Sequence, residues 1–233
     1  GMTTQEVMLN MFGKAADPNS GGRQMPMHWG HKKLGIISMG SSVATTIPRA
    51  SGVALASKLK GQDAVTMVYF GEGSASEGDF HEALNVASVW NLPVIFCVEN
   101  NAYGLSTPTS EQYNCKHIVD KGIGYGMESI TIDGNNIIEV YTKVSELVES
   151  MRHNPRPVLI EFKTFRMRGH EEASGTKYVP KALIEVWSQK DPIVNFENFL
   201  KQEGILTDED IVIIKEEFSK EINKNLKVAY DED

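Results

Sequence analysis

Apolar and polar positions along this chain follow two periods. Val65–Phe70 is a short continuous apolar run ending in Gly71-Glu72-Gly73, as a buried parallel strand does before it turns. Phe80, Ala83, Leu84, Ala87 and Trp90 then recur at helical spacing and predict a helix with one apolar stripe. Pro93 stops that helix, and Val94–Val98 is a second apolar run, followed by Asn100-Asn101. Glu128–Ile132 and Pro157–Thr164 predict two more strands. Between them Asp133-Gly134-Asn135-Asn136 caps a helix that carries Ile137, Val140, Tyr141, Val144, Leu147, Val148 and Met151 on one face. Leu34–Met39 reads as a further short strand. Helices are expected over residues 3–15, from near Pro48 to near Gly61, and as a short piece near His117–Lys121. Beyond Trp187 and the Asp191-Pro192 turn the chain reads as helical. Thr207 and Asp210 open its last helix as a capping box, with Ile211, Ile214, Phe218 and Ile222 behind it. The acidic tail, Asp231-Glu232-Asp233, is expected to fray.

Strand, glycine turn, helix and strand in that order make an α/β unit with both strand ends on one edge of a mostly parallel sheet. That edge is where such folds bind ligands. Glycines at 71 and 73 let a ligand approach the backbone and expose amide groups to anions. A carboxylate, an amide oxygen and a main-chain carbonyl are hard oxygen ligands, suited to Mg²⁺ that keeps phosphate oxygens in its shell. The spacing predicts a metal-diphosphate site built from Glu72, Asn101 and the carbonyl of Tyr103.

The stretch from Tyr69 to Ser106 resembles the thiamine diphosphate motif, GDG followed at similar spacing by NN. With GRQMP around Arg23, STPTSEQY at 106–113 and RGH at 168–170, nearly the whole chain is similar to the alpha subunit of the first component of 2-oxo acid dehydrogenase complexes. Within that family it is nearest the branched-chain (2-oxoisovalerate) enzymes, whose alpha subunit also carries YFGEG…SEGD. The resemblance implies one thiamine diphosphate-binding domain over 1–233, helices on both faces of the sheet and a helical C-terminal extension. It implies thiamine diphosphate and Mg²⁺ as cofactors, lined by Ser41, Val43, Gly71, Glu72, Gly73, Ser74, Asn101, Tyr103 and His170. Ser42, Thr45 and Thr46 match a turn that binds a monovalent cation, K⁺, in some relatives. Glu72 stands where aspartate is usual, as it does in the branched-chain enzymes. His170 matches the catalytic histidine beside the thiazolium, on a loop that orders when cofactor binds. Glu171 occupies the place of a regulatory serine, so kinase control there is not expected. The implied reaction is oxidative decarboxylation of a 2-oxo acid with acyl transfer to a lipoyl-bearing acyltransferase. No carboxylate here can be assigned to activate the aminopyrimidine. That glutamate is expected from a beta subunit, in an α₂β₂ assembly or a fused polypeptide. The family's upstream Tyr-Arg clamp on the diphosphate is not in this sequence, and Gly1 before Met2 reads as the remnant of a cleaved tag. Truncation at the N-terminus and weak cofactor affinity of the lone chain are therefore expected.

Composition narrows the alternatives. With 233 residues, 41% of them hydrophobic, the chain can bury one full core. A net charge of −8 argues against nonspecific nucleic-acid binding, and no apolar run approaches the length that spans a bilayer. Neither a secretory leader nor a membrane partner is expected; the bacterial cytoplasm or an organelle matrix fits. Cys97 reads as a core thiol and Cys115 as a loop thiol. His28 and His31 lie in a glycine- and proline-bearing loop that denies them helical metal spacing, and His117 reads as a surface residue. Arg166, Arg168 and His170 alone would pass for a solvated rim; the resemblance gives His170 its role. A nicotinamide fold is disfavoured because Ser76 stands where a third glycine is needed. A pyruvate or acetoin enzyme of the same family, and a non-catalytic domain of the same fold, are the remaining alternatives.

Overall fold

The computed structural model describes residues 1–171 and 173–232; Glu172 and Asp233 lie outside them. In chain order the helices are α1 (Thr4–Met11), α2 (Thr46–Leu59), α3 (Gly78–Val89), α4 (Asp120–Ile123), α5 (Ile137–His153), α6 (Lys181–Ser188), α7 (Pro192–Gln202) and α8 (Asp208–Asp231). The strands are β1 (Thr66–Gly71), β2 (Val94–Asn100), β3 (Tyr103–Gly104), β4 (Thr107–Pro108), β5 (Glu128–Asp133) and β6 (Val158–Lys163). Contacts divide the chain into two compact units, Val43–Phe196, and Gly1–Ser42 with Glu197–Asp233.

The larger unit is built on a four-stranded sheet of order β1-β2-β6-β5, parallel throughout. Gly71 pairs with Glu99, and Asn100 and Asp133 both pair with Lys163, so all four carboxyl ends reach one edge. Five consecutive residues of β2, Val94 to Val98, are buried. Phe96 and Val98 face a core filled by Ile47 and Ala54 of α2 and by Phe80, Leu84 and Ala87 of α3. Ile95 and Cys97 face the other way, toward Leu147 and Met151 of α5. Covering on both faces is why the sequence shows an unbroken apolar run rather than alternation. Each fully buried side chain of this size contributes roughly 1.5–3 kcal/mol. Burial also raises the Cys97 thiol, with Glu99 adding to it, to about 12. At the sheet edge β1 is less enclosed: Tyr69 is 57% exposed. Among the described residues no helix is long and apolar enough to cross a membrane.

Capping chemistry sets the helix ends as expected. The Asn136 side chain accepts the Glu139 N–H at the start of α5, and Thr207 with Asp210 closes a capping box on α8. In the smaller unit Thr4 of α1 donates to Glu221 of α8 at 2.6 Å, and Phe12 meets the Tyr230 ring edge-on at 5.6 Å.

Three local expectations need correction. Leu34–Met39 is not a strand: Lys32–Leu34 is a 3₁₀ turn, Gly35 at φ 70° reverses the chain, and Ile36 bridges back to His31 instead of joining the sheet. The first helix stops at Met11, before Gly13 at φ 64°. The short helix begins at Asp120, beyond most of the expected segment. The last helix ends at Asp231, where Lys14 Nζ donates to the carbonyls of Tyr230 and Glu232, and Glu232 is extended; Asp233 lies outside the described residues.

Candidate functional site

The tips of β1 and β2 stand side by side. Glu72 follows Gly71 directly, opening a 3₁₀ turn over Glu72–Ser76, and its side chain is 1% exposed. Its Oε2 accepts the Asn101 N–H at 3.2 Å, while Oε1 is buried with no hydrogen-bond partner. A buried carboxylate oxygen left unsatisfied is costly, and it is an atom that a cation would satisfy. The fold itself does not demand the flanking glycines: a Cβ at Gly71 would meet nothing within 4 Å, and one at Gly73 would make only an ordinary 3.7 Å contact with Gly104. Ser74 is half-buried in the same turn, and its carbonyl accepts the Glu77 N–H at 3.2 Å.

Asn101 and Tyr103 enclose Ala102, whose φ of 76° is left-handed. Two side chains hold this turn: Asn100 Oδ1 accepts the Ala102 N–H at 3.2 Å, and Asn101 Oδ1 accepts the Tyr103 N–H at 3.3 Å. An alanine in this region costs on the order of 1–2 kcal/mol, so the surroundings must impose it. Glu72, Asn101 and Tyr103 thus belong to one corner of the molecule. Asn101 Oδ1 and the Tyr103 carbonyl, which accepts Arg166 Nη1 at 3.3 Å, each keep a second lone pair for a metal. The residues fit a hard divalent ion. Among the described residues no group of three His, Cys, Asp or Glu side chains could hold a metal. The set expected here is of another kind, one carboxylate, one amide oxygen and one main-chain carbonyl.

His170 is exposed on the loop after β6, and Arg166 ties that loop to the turn. Its guanidinium donates to the carbonyls of Tyr103 at 3.3 Å and Leu105 at 2.5 Å, to the Tyr178 hydroxyl at 3.1 Å, and to His170 Nδ1 at 3.3 Å. A guanidinium only donates, so Nδ1 accepts and the ring proton of neutral His170 sits on Nε2. Below, Tyr103, Phe165 and Val179 form a small apolar cluster in which Phe165 stacks on Trp187 at 5.4 Å. Gly169 permits the loop's neck, since a Cβ there would lie 2.7 Å from the Gly175 carbonyl.

The remaining expected residues are placed as follows. Val43 is exposed in the larger unit, beside Ala44 at φ 66°. Ser41 lies in the smaller unit, where His28 Nε2 approaches its hydroxyl at 2.7 Å; His28 and His31 are buried there. Two features escape sequence reasoning. One is the reach of Arg166 across four acceptors. The other is Glu161, buried in β6, with Asn100 Nδ2 and Lys163 Nζ each 2.6 Å from its Oε1. His117, expected on the surface, is only half exposed, its Nδ1 3.7 Å from Glu161 Oε2 and beyond hydrogen-bond reach. A glutamate following Leu159-Ile160 in an apolar strand was the available signal. A cavity of about 500 Å³ is lined by Met67, Tyr69, Glu99, Val140, Tyr141 and Phe162, and none of the expected site residues borders it.

A family model described as "Dehydrogenase E1 component" matches residues 1–233. The chain is 44% identical, over 210 residues, to the 2-oxoisovalerate dehydrogenase subunit alpha of Bacillus subtilis, covering 90% of this chain and 64% of that protein. It is 38% identical to the mitochondrial 2-oxoisovalerate dehydrogenase subunit alpha 2 of Arabidopsis thaliana, over 98% of this chain and 49% of that one. The mitochondrial alpha subunit of Mus musculus is 36% identical over 97% of this chain and 50% of its own length. The chain spans from 49% to 64% of the length of these relatives.

Proposed function

The chain belongs to the dehydrogenase E1 component family, and from that membership we propose that it is the alpha part of a thiamine diphosphate-dependent 2-oxo acid dehydrogenase acting on branched-chain substrates. The observation that carries the reading is the unpartnered, buried Oε1 of Glu72 beside the Asn101 turn. Glu72, Asn101 Oδ1 and the Tyr103 carbonyl would hold Mg²⁺, and Gly71, Gly73, Ser74 and Val43 would line the cofactor. When bound, thiamine diphosphate supplies an electron sink that lets a 2-oxo acid lose CO₂ and pass its acyl group to a lipoyl arm. His170 keeps its proton on Nε2 and can offer it to charge developing on the substrate. Arg166 fixes that tautomer and aims the ring. Ser42, Thr45 and Thr46 are the candidate turn for K⁺.

The relatives, all 2-oxoisovalerate dehydrogenase alpha subunits, support 2-oxoisovalerate as the substrate class. They also favour either a bacterial cytoplasm or a mitochondrial matrix as the compartment. The beta subunit supplies the carboxylate that activates the aminopyrimidine, and a lipoyl-bearing acyltransferase receives the product. The test is co-expression with the beta subunit, followed by calorimetry with thiamine diphosphate and Mg²⁺ and by decarboxylation assays. A kcat/KM at least ~10-fold higher for 2-oxoisovalerate than for pyruvate is expected, the discrimination that a few methyl groups in a pocket provide. Preference for pyruvate would change the substrate. Absence of Mg²⁺-dependent uptake would end the cofactor reading.

A further inference from the structure

A parallel strand in the middle of a covered sheet is expected to be apolar, and in β6 Glu161 breaks that rule. Its side chain is fully buried, and its carboxylate is surrounded by donors. Oε1 accepts from Asn100 Nδ2 and from Lys163 Nζ, both at 2.6 Å. Oε2 accepts the Ile118 N–H at 3.1 Å and the Thr131 hydroxyl at 3.5 Å. A carboxylate only accepts and so serves all four; a neutral amide of equal size would turn its own NH₂ toward the pair of donors on one side. Unlike Glu72, Glu161 has both oxygens engaged and none to offer a cation.

The effect passes to Asn100. Its Nδ2 also donates to the Tyr113 hydroxyl at 2.9 Å, and its Oδ1 faces the opposite way, onto the Ala102 N–H. The reversed amide would set oxygen against carboxylate and NH₂ against N–H, so only one orientation works. That orientation holds Ala102 left-handed, between the two residues expected to bind the cation.

We infer that Glu161 is a positioning residue for the Asn101–Tyr103 turn, acting through Asn100 and never touching the ion. The inference rests on the reading that this turn holds Mg²⁺ with thiamine diphosphate. Two measurements on the chain co-expressed with its beta subunit test it: amide hydrogen exchange without metal, and Mn²⁺ affinity by electron paramagnetic resonance with thiamine diphosphate present. In Glu161→Gln, exchange at Ala102 and Tyr103 should quicken about 10-fold while the interior amides of β2 and β6 keep their protection. Mn²⁺ binding should weaken about 10-fold, as removal of an outer-shell support does. Asn100→Ala should reproduce both effects, and Glu161→Asp, which keeps the charge, should recover part of each. Wild-type exchange in the turn of Glu161→Gln would overturn the inference. So would protection lost evenly across the sheet, which marks a residue serving only the fold. If the wild type takes up no Mn²⁺ while Glu161→Gln still quickens the turn, the cation reading falls and the positioning of the turn stands.

Discussion

Glu72 Oε2 and the backbone N–H of Asn101 meet across 3.2 Å, joining the tips of two neighbouring strands through one carboxylate. The second oxygen of that carboxylate is enclosed and unpaired. In the protein alone this is a defect of about 1–3 kcal/mol. On the proposed reading, a divalent ion would take this oxygen as a ligand. Stability and binding therefore pull in opposite directions at this residue.

Glu72→Gln keeps the shape and the Asn101 contact but removes the buried charge. Without divalent ions it should unfold no more easily than the wild type, and be more stable by about 1 kcal/mol. If Glu72 holds Mg²⁺ with thiamine diphosphate as proposed, the order should reverse in their presence, because the wild-type carboxylate gains more from binding. Thermal unfolding under both conditions checks this.

Arg166 serves four acceptors with one planar group, a geometry lysine cannot reproduce. Arg166→Lys should leave the sheet intact and loosen residues 166–178. Limited proteolysis of that loop should be at least ~10-fold faster, and kcat in the assembled enzyme should fall by a similar factor.

Ala102→Val places a β-branched side chain where φ is 76°. Strain of about 2 kcal/mol should appear as a lower denaturation midpoint with unchanged slope.

Acid stability in the smaller unit turns on Asp17. Burial alone would raise its carboxyl, but hydrogen bonds from Asn19, Asn10 and Ser20 outweigh it and bring the pKa from 3.8 down to about 2. A depressed acid stabilises the fold fully above its unfolded value, and that contribution is lost as pH falls from 3.8 through about 2. The loss amounts to roughly 2 kcal/mol. Asp17→Asn should flatten the stability profile across that window, measured by denaturant titration at stepped pH.

The strand–helix–strand unit was legible because its signals are local. Phe80 to Ala87 announce a helix by spacing, and Gly71 and Pro93 bound the strands. The pairing of Glu72 with Asn101 followed from topology, since parallel strands joined by a helix bring both ends to one edge. Leu34–Met39 misled because an apolar run says nothing about whether Gly35 will fold it back on His31. Glu161 shows in the sequence only as a carboxylate inside an apolar strand, and neither its partners nor those of Arg166 can be read there. Their partners, Ile118 and Leu105 among them, lie far away in sequence and meet only once the sheet has formed.

Burial of Cys97 has a practical side. With its thiol near 12 and no exposed surface, it will not react with alkylating reagents at neutral pH. Cys115 is half-buried in the loop just ahead of Ile118. Any thiol-directed dye that attaches at neutral pH should therefore report Cys115, on the segment whose backbone donates to Glu161. Changes in that buried polar network then become visible as fluorescence.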